Sequence, residues 1–101
     1  MEQYRQGDVL IIPTTEVSSE GLRPHGDLTV AIGEATGHSH RFMDAGAIAL
    51  YDAPDGDIIA EVSSDATIVH EEHASITIIP GTYRIRRQRE YTPGAVRPVS
   101  D

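Results

Sequence analysis

The chain contains no cysteine, no tryptophan and no lysine, and all eight of its basic residues are arginine. Without cysteine, a disulfide framework and a thiolate-based structural zinc site are both excluded. No long hydrophobic run exists either: the longest, Ala47 to Tyr51, has five residues, against the roughly 20 of a spanning helix. The opening Met1-Glu2-Gln3-Tyr4-Arg5 is followed by no apolar stretch, so no secretory signal is expected and a cytoplasmic setting follows. Aromatic residues are scarce, with four tyrosines and one phenylalanine, too few for a broad base-stacking platform. Positive charge is scarce too. A formal net charge of −8 argues against a protein that coats nucleic acid or an anionic membrane.

What the chain does have is β-branched residues: isoleucine and valine dominate its aliphatic content, and leucine occurs only four times. Such residues favour pleated, half-buried surfaces over helices. At 101 residues the chain has the length of one domain. Short apolar segments recur at Asp8–Ile12, Leu28–Ile32, Ala47–Tyr51, Asp57–Val62, Ala66–His70, Ser75–Ile79 and Thr82–Arg89, each near the usual strand length and separated by turn residues. Pro13 closes the first because it cannot donate to a ladder. Pro54-Asp55-Gly56-Asp57 predicts a hairpin between the third and fourth, and Pro80-Gly81 is the strongest turn signal. Only Thr15–Glu20 offers a single helical turn. The expectation is an all-β fold over residues 1–91, a small single-domain barrel, sandwich or reduced jelly roll of about seven short strands. Residues 92–101, with Pro93, Gly94 and Pro98, form an extended tail.

Charge is distributed unevenly. Arg84, Arg86, Arg87, Arg89 and Arg97 crowd a short segment near the end, whereas most of the acids lie before it. One reading pairs these arginines with the acidic body; another makes them an anion site, since the guanidinium fork suits phosphate and carboxylate. In an extended segment Tyr83, Ile85, Arg87, Arg89 and Tyr91 share one face, and Arg84 and Arg86 the other. Arginine interleaved with tyrosine is also a pattern of single-stranded nucleic acid surfaces, while an edge strand guarded by charge is the structural counterpart.

Four of the five histidines fall in two groups, His38-Ser39-His40 and His70-Glu71-Glu72-His73; His25 stands alone beside Pro24 and Gly26 as a loop residue. In an extended chain, residues two apart project from one face about 6.6 Å apart, so two such imidazoles can converge on one ion. The second group lacks the His-Glu-x-x-His spacing of helical metalloproteases. Its β-branched flanks make it the turn and shoulders of a hairpin. Each group has an acid nearby, Glu34 or Asp44 for the first and Glu71 or Glu72 for the second. Imidazole with carboxylate suits zinc, iron, manganese or nickel.

These residues resemble the cupins, small metal-binding β-barrels. Gly33, His38, His40, Asp44 and Gly46 follow the order of the first cupin motif, with Asp44 in place of the usual glutamate and a shorter final gap. Ile79-Pro80-Gly81 is similar to the turn of the second motif, but Arg84 and Arg86 stand where its histidine would be. The resemblance implies His38 and His40 as metal ligands; His70 or His73 would then supply the third.

Three functions follow from the sequence. In the first, His38, His40, His70 and His73 hold a divalent transition metal. Glu71 or Glu72 is then a further ligand or general base, and Arg84, Arg87 or Arg89 orients a small anionic substrate. In the second, paired histidines act as metal-free acid and base on RNA or a nucleotide. In the third, the domain is a non-catalytic assembly module. Exposed strand edges are compatible with a homodimer.

Overall fold

The computed structural model describes residues 2–15, 17–32, 37–88, 91–92 and 95–96. All seven β-branched segments form strands. In chain order the strands are β1 (Tyr4–Gln6), β2 (Val9–Pro13), β3 (Arg23–Pro24), β4 (Thr29–Ile32), β5 (Ser39–Phe42), β6 (Ile48–Asp52), β7 (Ile58–Val62), β8 (Ala66–Val69), β9 (Ile76–Ile78), β10 (Gly81–Arg87), β11 (Tyr91–Thr92) and β12 (Ala95–Val96). No helix occurs among the described residues, and those of Thr15–Glu20 form no helical turn. No helix long and apolar enough to cross a membrane is therefore present among them.

The strands make two antiparallel sheets, one of six strands in the order β1-β2-β10-β7-β6-β3 and one of four in the order β4-β5-β8-β9. β11 and β12 pair separately. Neither sheet closes on itself, so among the architectures expected the molecule is a sandwich. Besides β11 and β12, the additional strands are β1, β3 and β5, none of which has more than one large apolar side chain.

Local chemistry accounts for the connections. The β6–β7 hairpin forms as expected: Ala53 N–H bonds the Asp57 carbonyl at 2.9 Å, Asp57 N–H bonds Asp55 Oδ1 at 3.0 Å, and Gly56 takes φ 93°. Gly7 (φ 58°) and Asp8 form a two-residue turn that joins β1 to β2, with Gln6 opposite Val9. Glycine at the first central position is what a type II′ hairpin turn asks for. Pro80-Gly81 does something else. It carries the chain from β9 in the small sheet to β10 in the large one, because a strand on the second sheet must leave the first.

The core fills the space between the sheets. Val9, Ile11, Ile48, Leu50, Ile58, Ala60, Val62, Tyr83 and Ile85 come from the large sheet, and Ala31, Phe42, Ala66, Ile68 and Ile78 from the small one. Each fully buried aliphatic side chain here is worth about 1.5–3 kcal/mol. Tyr83 is completely buried; its hydroxyl donates to the Ile79 carbonyl at 2.7 Å, and its ring meets that of Tyr4 edge-on at 6.2 Å. A base-stacking role for Tyr83 is thereby overturned, because its ring has no face open to a ligand. β5 alternates across this interface, with His40 and Phe42 buried and Arg41 exposed. His40 thus brings a polar side chain into the buried layer, where Gln6 and Asp8 are buried as well.

Candidate metal centre

Strand register brings the two histidine groups together. β5 pairs β8 antiparallel with Arg41 opposite Val69 and Phe42 opposite Ile68. Continued past the end of the ladder, that register sets His40 opposite His70, Ser39 opposite Glu71 and His38 opposite Glu72. The contacts follow it: Ser39 N–H donates to Glu71 Oε2 at 3.0 Å, and His38 Nδ1 lies 3.7 Å from Glu72 Oε1. β8 pairs in turn with β9, Ile68 opposite Ile76, so residues 70–73 occupy the expected hairpin loop.

All four expected ligands gather there. The His40 and His70 ring centroids are 4.3 Å apart, His70 and His73 4.6 Å, His38 and His70 5.5 Å, and His40 and His73 6.1 Å with nearly parallel planes. One ligating atom from each of His38, His70 and Glu71 lies within 4.8 Å of the other two. Glu71 has a lowered pKa: its own backbone N–H and that of Ser39 favour the carboxylate, desolvation opposes them, and the His38 and His70 rings add a lesser lowering. Exposure grades outward from His40, which is fully buried, to His38, with a quarter of its side chain exposed, and Glu72, largely exposed.

His70 is held by its own loop. Its Nδ1 accepts the backbone N–H groups of Glu72 at 3.0 Å and His73 at 3.3 Å. A neutral imidazole that accepts at Nδ1 carries its hydrogen on Nε2. That Nε2 is shielded from solvent and has no hydrogen-bond partner among the described residues.

Two buried residues join the site that the sequence did not single out. Gln6 Oε1 lies 2.9 Å from His40 Nδ1, and Asp8 Oδ1 lies 3.4 Å from His40 Nε2. Asp8 also accepts from Arg87 Nε at 2.5 Å, which links Arg87 to His40 through Asp8. The signal that could have found both is the Gln6-Gly7-Asp8-Val9 turn, which places two polar side chains at the mouth of a hairpin whose next residue begins a core strand.

The other expected residues serve elsewhere. Arg84 pairs with Asp55 at 2.9 Å and Asp57 at 3.1 Å, and Arg86 pairs with Asp57 at 3.0 Å. Pairing of the arginine strand with the acidic body therefore holds for these two. Burial of Asp57 opposes its ionisation, but both guanidinium groups outweigh this and lower its pKa. Asp44 Oδ2 accepts the Thr67 N–H at 2.7 Å, which commits it to the loop before β6. Arg89, Gly33 and Glu34 lie outside the described residues.

The family described as a domain of unknown function (DUF8820) matches residues 5–88. The chain belongs to that family. The match spans β1 to β10 and so takes in Gln6, Asp8 and both histidine groups of this DUF8820 domain. Comparisons with curated proteins and with solved structures gave no match.

Proposed function

We propose that the domain binds a divalent transition metal (zinc, iron, manganese or nickel) at the histidine cluster and uses it on a small anionic substrate. The observation that carries this reading is the convergence of one ligating atom each from His38, His70 and Glu71 within 4.8 Å, with two more imidazoles packed against them. Ligands of one tetrahedral ion at bond lengths near 2.0–2.1 Å stand about 3.4 Å apart, so the loop needs to draw in by little more than an ångström. Three protein ligands, His38, His70 and Glu71, would leave the fourth position of a tetrahedral ion for water or substrate. His38 and His40 are the residues that the cupin-like motif implies as ligands. The absence of cysteine fits a cytoplasmic setting.

His70 joins such a site only by giving up the two amide contacts at Nδ1, because both ring nitrogens cannot be lone pairs in a neutral ring. Metal uptake is therefore expected to remodel residues 70–73. The test is a zinc titration of the full chain followed by amide NMR and thermal melting. The signals of Glu72 and His73 should shift first, and at a hundredfold excess over Kd the metal should add about 2.7 kcal/mol of stability. A His38→Ala/His70→Ala double variant should show neither effect. No gain in melting temperature from zinc, nickel, manganese or iron(II) would contradict the reading.

A further inference from the structure

We infer that Gln6 is the positioning residue of the site: it orients the His40 ring by holding a hydrogen on Nδ1, with Nε2 turned toward Asp8. The orientation of the Gln6 amide is settled by its surroundings. Its nitrogen donates to two carbonyl oxygens, Ile68 at 3.2 Å and Ala74 at 2.9 Å, and a carbonyl oxygen can only accept. The other end of the amide is therefore the oxygen, and it faces His40 Nδ1 at 2.9 Å. An acceptor at that position requires a hydrogen on Nδ1. Nε2 is thereby turned toward the Asp8 carboxylate, 3.4 Å from Oδ1.

Burial makes this constraint strong. Gln6 is 2% exposed and His40 0%, so neither group can trade its partner for water, and an unmade hydrogen bond there has a large penalty. The anchoring carbonyls matter as well. Ile68 ends the part of β8 that pairs with β9, and Ala74 follows His73 in the loop. One amide thus ties His40 on β5 to both sides of the 70–73 loop. A metal-binding histidine ordinarily donates its second ring N–H to just such an acceptor, which sets the tautomer and the ring's orientation. The consequence for an ion rests on the metal reading above; the tautomer does not.

The test is a long-range proton–nitrogen NMR correlation of the histidine side chains in the metal-free full chain at pH 8.5, repeated with zinc. The expected result is a hydrogen on His40 Nδ1 in the metal-free chain, and a shift of the His40 signals when zinc binds. Gln6→Leu should release the tautomer and weaken zinc binding by roughly 10- to 100-fold. Gln6→Glu keeps an oxygen facing Nδ1 and should restore the tautomer even where it lowers the melting temperature. A His40 ring with no hydrogen on Nδ1 in the native protein would overturn the assignment without need of any variant. So would an unchanged tautomer in a folded Gln6→Leu protein. Zinc that fails to bind beside the expected tautomer would overturn the metal reading and the ligand role, and leave Gln6 as the residue that orients His40.

Discussion

His25 and the histidines around His70 put the same side chain into two opposite settings. At His25 both ring nitrogens face acceptors: Nδ1 meets Asp52 Oδ1 at 2.7 Å and Nε2 meets the Thr29 carbonyl at 2.6 Å. Asp27 stands 3.5 Å from Nε2. Burial works against charging the ring, but the Thr29 carbonyl, then Asp52 and Asp27, prevail and raise its pKa. The ring is a doubly donating clamp that ties β4 of the small sheet to β6 of the large one. At the other site His40 likewise meets Gln6 and Asp8, but the rings also pack on one another. One shielded nitrogen there, His70 Nε2, has no hydrogen-bond partner among the described residues. A histidine surrounded by acceptors has its chemistry used up by the fold, whereas a cluster of rings beside an ionised glutamate retains atoms that a ligand can use.

The contrast sharpens most when the buried side of the cluster is cut. Asp8→Ala would leave Arg87 without its carboxylate and remove the anion beside His40. Breaking one partner of a buried ion pair should lower the unfolding free energy by about 3 kcal/mol, read from the urea midpoint. A loss below about 1 kcal/mol would place Asp8 among screened surface pairs instead.

A smaller effect is expected at His25, and it has a sign. The folded ring binds its proton more tightly than the ordinary value of 6.5. Its contribution is therefore fully present below pH 6.5 and fades as pH rises through the elevated folded value. A His25→Gln variant should flatten that part of the stability–pH profile while its response to zinc stays that of the native chain. A profile unchanged by the substitution would mean that the clamp does not titrate as described.

Much of the architecture was legible because it rests on local signals. Ile58-Ile59-Ala60-Glu61-Val62 and Ser75-Ile76-Thr77-Ile78-Ile79 announce strands by β-branching, and Pro54-Asp55-Gly56-Asp57 announces its hairpin. Ser39-His40-Arg41-Phe42 does not, because its inward positions hold one polar and one aromatic side chain and its outward ones a serine and an arginine. Tyr4-Arg5-Gln6 is polar enough to pass for a terminus. At the site, the histidines were visible from residue type and spacing, but their meeting depends on the β5–β8 register, a pairing across nearly thirty residues that no local pattern specifies. Gln6 and Asp8 were missed for the same reason: each matters through a partner more than thirty positions away. His25 was read as a loop residue, since Asp52 and the Thr29 carbonyl reach it only once both sheets are in place.

Cobalt(II) is the most direct probe of the central claim, because its visible absorption reports the number and geometry of nitrogen and oxygen ligands. Titrated into the full chain, it should give a band that saturates at one ion per chain, disappears in His38→Ala/His70→Ala and persists in His25→Gln. A spectrum that never departs from that of aqueous cobalt, or a band equally strong in the double variant, would contradict the account.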